Sequence, residues 1–200
     1  MAVYDNASEL EEHLPAFLKQ TYEPGYEVIV VDESSTDNTE DALKLFKHDH
    51  PHLYTTFLPK PDRNIIRRKL ALTIGVKAAK NEWVVLTDIH RQPPSEDWLK
   101  EIADSLDSTT EAMIGYFRKK GTRIQCFEEV GQTRRLIRKA ERKRADGHQG
   151  KHLKYLRGKY DFIVVKTSKA HDLLKFFEQK IGFRRLLGLR LAVICQNSKS

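Results

Sequence analysis

Cysteine is nearly absent: Cys126 and Cys195 are the only two in 200 residues. So few give no disulfide framework and no paired-cysteine metal site, and they fit a reducing compartment such as the cytoplasm. Long apolar runs are missing as well. No stretch approaches the roughly 20 residues needed to cross a bilayer, and Met1 is followed by Ala-Val-Tyr-Asp rather than by a charged and then apolar signal segment. No internal repeat, low-complexity tract or Pro/Gly/Ser linker divides the chain. With 40% hydrophobic and 32% charged residues, one sizeable core and a single domain over residues 1–200 are expected.

Positive charge, by contrast, is abundant and concentrated. Residues 118–159 hold 15 Lys or Arg and 4 Asp or Glu, a local +11 in a chain whose net charge is +7. Such a block favours a polyanionic partner, meaning a sugar-nucleotide diphosphate, a lipid phosphate, an anionic membrane surface or nucleic acid, and it equally describes a solvated basic helix. Arg134 to Arg144, with Leu136, Ile137 and Ala140 between the charges, reads as a basic amphipathic helix able to lie on the cytoplasmic face of the inner membrane. Further on, Leu173, Leu174, Phe176, Phe177 and Ile181 make an apolar helix face that reads first as core. Nucleic acid is disfavoured, because the chain has no recognisable RNA or DNA module and no aromatic residues interleaved with the basic ones.

Strand and helix patterns alternate through the first half. Ser8 and Glu11 have capping-box spacing ahead of Leu10, Leu14, Phe17 and Leu18, with Pro15 inside that helix as a potential kink. Tyr26–Val31 reads as a buried strand. Asp37 and Glu40 repeat the capping pattern before Ala42, Leu43 and Phe46, and Leu53–Leu58 is the next strand. A helix from about Ile66 to Lys80 carries Leu70, Ile74 and Ala78 on one face and leads into a strand over Trp83–Thr87. This order predicts an α/β fold with a mostly parallel sheet and helices on both faces, binding ligands beyond the carboxyl ends of its strands. Two strands end there in aspartate, Asp32 and Asp88, so the topology sends both carboxylates to one rim. Each can instead start a turn or cap a helix.

Asp32-Glu33-Ser34-Ser35-Thr36-Asp37-Asn38-Thr39, behind Glu27-Val28-Ile29-Val30-Val31, resembles the family 2 glycosyltransferase signature of a hydrophobic strand running into Asp-Asp-Gly-Ser-Thr-Asp-x-Thr. Val3-Tyr4-Asp5 resembles the end of that family's first strand, and Gln20-Thr21-Tyr22 its Gln-x-Tyr. Lys69 to Ala79, Trp83 to Asp88 and Pro94 to Leu99 follow in the family's order. The resemblance covers roughly residues 3–117. It implies a GT-A fold, a nucleotide-sugar donor linked to UDP or GDP, and a glycan or lipid-linked acceptor in bacterial surface-polysaccharide synthesis. It also implies transfer with inversion of the anomeric carbon. The same resemblance gives Asp32 the donor base, Tyr4 the flank of that base and Lys69 the diphosphate. Residues 1–117 would bind the nucleotide sugar, and the basic residues 118–200 would face the acceptor.

One departure bears on the chemistry. The family's Asp-x-Asp metal motif reads here Asp88-Ile89-His90, followed by Arg91. A divalent ion, Mn²⁺ or Mg²⁺, on Asp88 and His90 would neutralise charge on the leaving diphosphate, and an imidazole tilts preference towards Mn²⁺. Arg91 could instead supply fixed positive charge beside the phosphates. Inverting transfer also needs a carboxylate to take the acceptor's proton. Glu128, Glu129 and Asp161 are the candidates, with Asp146 behind them and a base outside this chain, or none, as the alternative; the family's later Gln-x-x-Arg-Trp element is absent. Gly147-His148-Gln149-Gly150-Lys151-His152 lacks the Ser or Thr that completes a phosphate loop and reads first as a surface turn. The resemblance further predicts four or five apolar residues ahead of Val3, so the first strand is expected to be short. A relative that binds nucleotide or glycan without transferring is the second reading, and a basic nucleic-acid-binding protein the third.

Overall fold

The structure, a computed structural model, describes residues 1–59, 67–118, 161–174 and 191–197, with Arg135 alone between the second and third stretches; the side chains of Arg118, residues 171–174 and residues 191–197 are not described. Strands β1 (Ala2–Val3), β2 (Val28–Asp32) and β3 (Leu53–Phe57) form a parallel sheet in that order. A second sheet runs β4 (Trp83–Leu86), β6 (Phe162–Lys166), β5 (Ala112–Arg118), β7 (Leu191–Asn197). Within it β6 is antiparallel to both neighbours, whereas β5 and β7 are parallel. The helices are α1 (Ala7–Leu18), α2 (Thr39–Asp49), α3 (Arg67–Ala78), α4 (Trp98–Asp104) and α5 (Thr167–Leu174).

The β-branched run of β2 is apolar on both faces because both faces are covered. Successive side chains alternate across the sheet. Val28 and Val30 join Leu10, Leu14 and Phe17 of α1, Leu43 of α2 and Trp98 of α4. Ile29 and Val31 turn the other way, to Ala2, Leu58 and Ala71 of α3. The helices thus sit on both faces, as the alternation predicts.

Two local expectations fail for identifiable reasons. Neither capping box forms: the helix caps are Asn6 and Asn38, without side-chain cap bonds, and Ser8 lies inside α1. Of the side chains expected to cap, Asp37 is used to lace two loops together, as described below. On α3 the buried residues are Ala71 and Val76, with Leu70 and Ile74 only partly covered. From Leu70 to Val76 that helix is apolar on nearly every side, so periodicity cannot select its inward face. Pro15 is accommodated within α1, whose chain continues to Leu18.

β1 is short, pairing only Ala2 with Val31 and Val3 with Asp32. The Met1 α-ammonium is buried and donates to the Ile29 carbonyl at 2.7 Å. Burial pushes its pKa down from 8.0 to about 6, Arg68 pushes the same way, and Asp88 opposes. A cation whose pKa falls on folding is disfavoured in the native state once protonated. The associated stability is therefore complete above pH 8 and is lost as pH falls towards 6, a loss of about 2–3 kcal/mol. Urea unfolding at pH 8.5 and 5.5 should show this loss, and N-terminal acetylation should remove it; an acetylated chain with the same pH dependence would refute the assignment to Met1.

Candidate functional site

The loops leaving β1 and β2 are bound to each other by the signature residues. Asp5 accepts from the Thr36 N–H at 2.6 Å, and its own N–H donates to Ser35 Oγ at 2.9 Å. The Asn6 N–H donates to Thr39 Oγ1 and the Ala7 N–H to Asp37 Oδ2, each at 3.0 Å. Asp37 therefore serves the first turn of α1, across the chain, while its other oxygen accepts from the Thr39 N–H at the start of α2. The lacing needs tight backbone turns: Asp5 and Ser34 have φ of 48° and 63°. Ser34 occupies the glycine position of the signature quoted above, and its hydroxyl donates to the Leu58 carbonyl at 2.5 Å, which offsets part of the left-handed strain.

Asp32 emerges at the end of β2 with 6% exposure. Its Oδ1 accepts from the Ser35 N–H at 3.0 Å and from the Ser35 hydroxyl at 2.5 Å. Tyr4, 43% exposed, stands at the end of β1 with the Arg67 guanidinium 5.3 Å over its ring. Glu33, buried beside Asp32, has its pKa raised by burial; Arg68 and Arg67 counter that rise, and Asp32 and Asp88 add to it. The start of α3 ties the two strand ends to one rim, with Arg67 over the Tyr4 ring beside the end of β2 and Arg68 paired with Asp88 beyond β4, although β2 and β4 belong to different hydrogen-bonded sheets.

At the β4 end, Asp88 pairs with Arg68. Its Oδ1 accepts from the His90 N–H at 3.1 Å, with the His90 Nε2 at 3.8 Å. Partial burial works to raise the Asp88 pKa, but the Arg68 guanidinium and the His90 N–H outweigh it and hold the carboxyl below its ordinary value. The intervening Ile89 is 1% exposed, and its carbonyl contacts His13 Nδ1 at 3.0 Å, which fixes the turn from α1. Among the described residues, no three His, Cys, Asp or Glu side chains are grouped to hold a metal ion unaided. Asp88 and His90 remain the pair that could contribute to one.

Among the described residues, no ion pair joins Arg91 to Asp88. It pairs with Asp161 at 2.7 Å, and the second Asp161 oxygen accepts from the Phe117 N–H at 2.7 Å. Both oxygens of Asp161 are thus engaged in tying the Asp88 turn to β5. Lys69 lies on the same first turn of α3 as Arg68, half-buried, and no ion pair involves it among the described residues. Glu128, Glu129, Asp146, residues 147–152 and the basic helix apart from Arg135 lie outside the described residues, as does the tail beyond residue 174 up to 190.

Sequence reasoning missed Arg68, Arg67 and His13. The arginines stood next to Lys69, but only helix phase decides which of three adjacent cations faces the rim. Gln20, read as part of a family motif, is a brace: its Nε2 donates to the Ala16 and Ser95 carbonyls and its Oε1 accepts from the Leu99 N–H.

The mixed α/β architecture, with its parallel three-stranded sheet and flanking helices, matches that of GT-A glycosyltransferases. The chain belongs to glycosyl transferase family 2, whose model matches residues 1–185. Solved structures agree on the fold. TarS 1–349 of S. aureus superposes with a TM-score of 0.65 at 16% identity, over 100% of this chain and 57% of TarS 1–349. The mannosyltransferase PcManGT from Pyrobaculum calidifontis, in complex with GDP-Man and Mn²⁺, gives 0.65 at 22% identity over 98% of this chain and 55% of its own. Glucosyl-3-phosphoglycerate synthase from Mycobacterium tuberculosis gives 0.55 at 13% identity, over 100% of this chain and 69% of the synthase. The chain thus spans little more than half of the first two. Among curated proteins, no sequence matches it. No helix among the described residues is long and apolar enough to cross a membrane.

Proposed function

We propose that this chain is a glycosyltransferase taking a sugar from a UDP- or GDP-linked donor, with the base against Tyr4 and Asp32 and the diphosphate between Arg68 and Asp88. The observation that carries this reading is the convergence of Asp32, Asp88 and the Arg67-Arg68 pair on one rim. TarS has been solved with UDP and with UDP-GlcNAc, and PcManGT with GDP-Man and Mn²⁺, which supports the same ligand class here.

Charge decides what else the site needs. Asp32, Glu33 and Asp88 already place three carboxylates at the rim with Arg67 and Arg68, so a diphosphate entering unaccompanied would add further anionic charge beside them. A divalent ion fits this donor set, since Mn²⁺ or Mg²⁺ commonly uses one or two protein ligands and completes its shell with substrate phosphates and water. Asp88 and His90 would hold it, and it would neutralise charge on the departing nucleotide. Arg68, released from Asp88, would donate to phosphate oxygens as a charge-assisted fork. Transfer with inversion requires a base for the acceptor hydroxyl. With both Asp161 oxygens engaged, Glu128, Glu129 and Asp146 become the stronger candidates. The acceptor, a glycan or a lipid-linked glycan, would be met by the basic half.

The test is calorimetric titration with UDP and GDP, with and without Mn²⁺ and Mg²⁺, on the native chain and on Arg68→Gln. Metal-dependent binding weakened about tenfold by Arg68→Gln, the loss of one charged hydrogen bond, is expected. Absence of nucleotide binding by the folded native chain would overturn the proposal. In that case the Arg68–Asp88 pair is a permanent substitute for the metal site, and the chain is a binding relative that does not transfer.

A further inference from the structure

The carboxylate beyond β4 carries its own counter-ion. Asp88 uses both oxygens: Oδ2 is held by the Arg68 guanidinium, and Oδ1 accepts from the His90 N–H at 3.1 Å. The same Oδ1 lies 3.8 Å from the His90 Nε2, so carboxylate and imidazole stand side by side. Arg68 therefore occupies an oxygen through which this pair would take a cation. The Asp88 side chain is 26% exposed and that of Arg68 53%, so the anion is largely covered while its partner reaches solvent.

Two effects make this ion pair an obstacle to a metal ion. A divalent cation bonds a carboxylate oxygen directly, and Arg68 already engages Oδ2 with a charge-assisted hydrogen bond. A guanidinium that stayed in place would also set a positive charge beside the dication, where partial burial weakens screening by salt. Arg68 cannot give up its charge, because a guanidinium stays protonated. It can only move. Among the described residues Asp88 is its one ion-pair partner, whereas Arg91 is held by a carboxylate, Asp161, that is itself anchored to the Phe117 N–H.

A diphosphate is the kind of ligand that moves it. Phosphate oxygens match the planar fork of a guanidinium as well as a carboxylate does, and a diphosphate brings more charge than the single Asp88 carboxylate. An exposed side chain on the first turn of α3 has the freedom to change partner without disturbing the helix. Once Arg68 turns to phosphate, Asp88 Oδ2 is free, and the anionic charge at the rim has risen. Both changes favour the arrival of a divalent ion at Asp88 and His90.

We propose that Arg68 is a latch on the metal site: it closes Asp88 to a divalent cation until a nucleotide diphosphate draws the guanidinium away, so that the nucleotide admits the metal. This rests on the reading of the rim as a metal-assisted donor site and adds the order in which that site assembles. By linkage, the nucleotide raises the affinity for the metal, and the metal raises that for the nucleotide by the same factor. Arg68 thereby acts with opposite sign on two ligands. It bars the free cation and holds the phosphate.

The test is Mn²⁺ titration without nucleotide, followed by water-proton relaxation, on the native chain, Arg68→Gln, Lys69→Gln and Arg68→Gln with His90→Ala. Arg68→Gln should bind Mn²⁺ about tenfold more tightly than the native chain, a difference of about 1.4 kcal/mol. Lys69→Gln removes the same charge from the adjacent position and should gain little, and the double variant should lose the gain. Equal Mn²⁺ affinity in the native chain and Arg68→Gln would overturn the proposal. So would an equal gain in Lys69→Gln, the mark of a general charge effect, or a gain that survives the loss of His90, which would put the ion elsewhere. Adding UDP or GDP then separates the latch from the donor reading. Nucleotide should raise Mn²⁺ affinity about tenfold more in the native chain than in Arg68→Gln; equal enhancement would overturn the latch and leave the donor site standing. A native chain that binds no nucleotide would overturn the donor reading, and the nucleotide-free comparison would still decide whether Arg68 bars the metal.

Discussion

Replacing Asp32 with asparagine is expected to weaken UDP or GDP binding about 100-fold while leaving the fold nearly unchanged. The two carboxylate oxygens have different tasks. Oδ1 is committed to the turn, accepting from both the N–H and the hydroxyl of Ser35. Oδ2 has no hydrogen bond among the described residues and is the one left for a ligand. A base N–H meeting it forms a charge-assisted bond worth about 1.5–3 kcal/mol. Asparagine keeps an oxygen for Ser35 but puts an NH₂ donor where the base also presents a donor, so two hydrogens oppose each other and neither is satisfied. Lost attraction and the new mismatch together come to roughly 3 kcal/mol, or about 100-fold. Asp32→Ala is a poorer probe, because it unlatches the Ser35 turn as well as emptying the base site. Titration of Asp32→Asn, with its thermal midpoint measured alongside, separates the two tasks. Native affinity in a folded Asn variant would remove Asp32 from the donor site.

The features that were legible in the sequence share a physical cause: each was written in a local pattern. Val28 to Val31 could only be a doubly buried strand, and the aspartates at the end of β2 and just beyond β4 had to emerge at strand ends. Their convergence followed from topology. What could not be read depended on contacts between distant residues. Capping spacings at Ser8 and Asp37 were sound as patterns, but Thr39 and Asp37 make their bonds to the Asn6 and Ala7 amides some 30 positions away. The antiparallel insertion of β6 between β4 and β5 was equally hidden, because Phe162 to Val165 reads as a buried strand in either direction. Asp161 looked available for proton transfer; its partners, Arg91 and the Phe117 N–H, lie 70 and 44 positions away. The expected shortness of β1 was visible.

Gly115→Ala is expected to be the most destabilising single methyl addition in the described core, at about 3–5 kcal/mol. Gly115 on β5 sits opposite Phe162 on β6, and a Cβ built there would lie 1.9 Å from the Phe162 Cζ, with Cε1 and Cε2 at 2.2 and 2.3 Å. The ring lies directly over the glycine, an arrangement in which the aromatic fills the space left by the missing side chain. It cannot easily move aside. Phe162 is 0% exposed, and its ring meets Trp98 and Phe117 at centroid distances of 5.2 Å each. Trp98 is in turn packed edge-on against Phe17 of α1. Overpacking usually costs about 1–3 kcal/mol, and a clash this deep with a fully buried ring belongs at or beyond the top of that range. For a chain of 200 residues the thermal midpoint should fall by roughly 10 °C. A double-mutant cycle identifies the cause: Gly115→Ala with Phe162→Leu should be more stable than Gly115→Ala alone, although Phe162→Leu by itself destabilises. If the two changes simply add, the ring is not what the methyl strikes. The effect should also reach the rim, because the Gly115 carbonyl accepts from the Asp161 N–H at 3.0 Å and Asp161 holds Arg91 beside the Asp88 turn. Displacing β5 from β6 loosens that brace, so the variant should bind nucleotide more weakly even at temperatures where it remains folded.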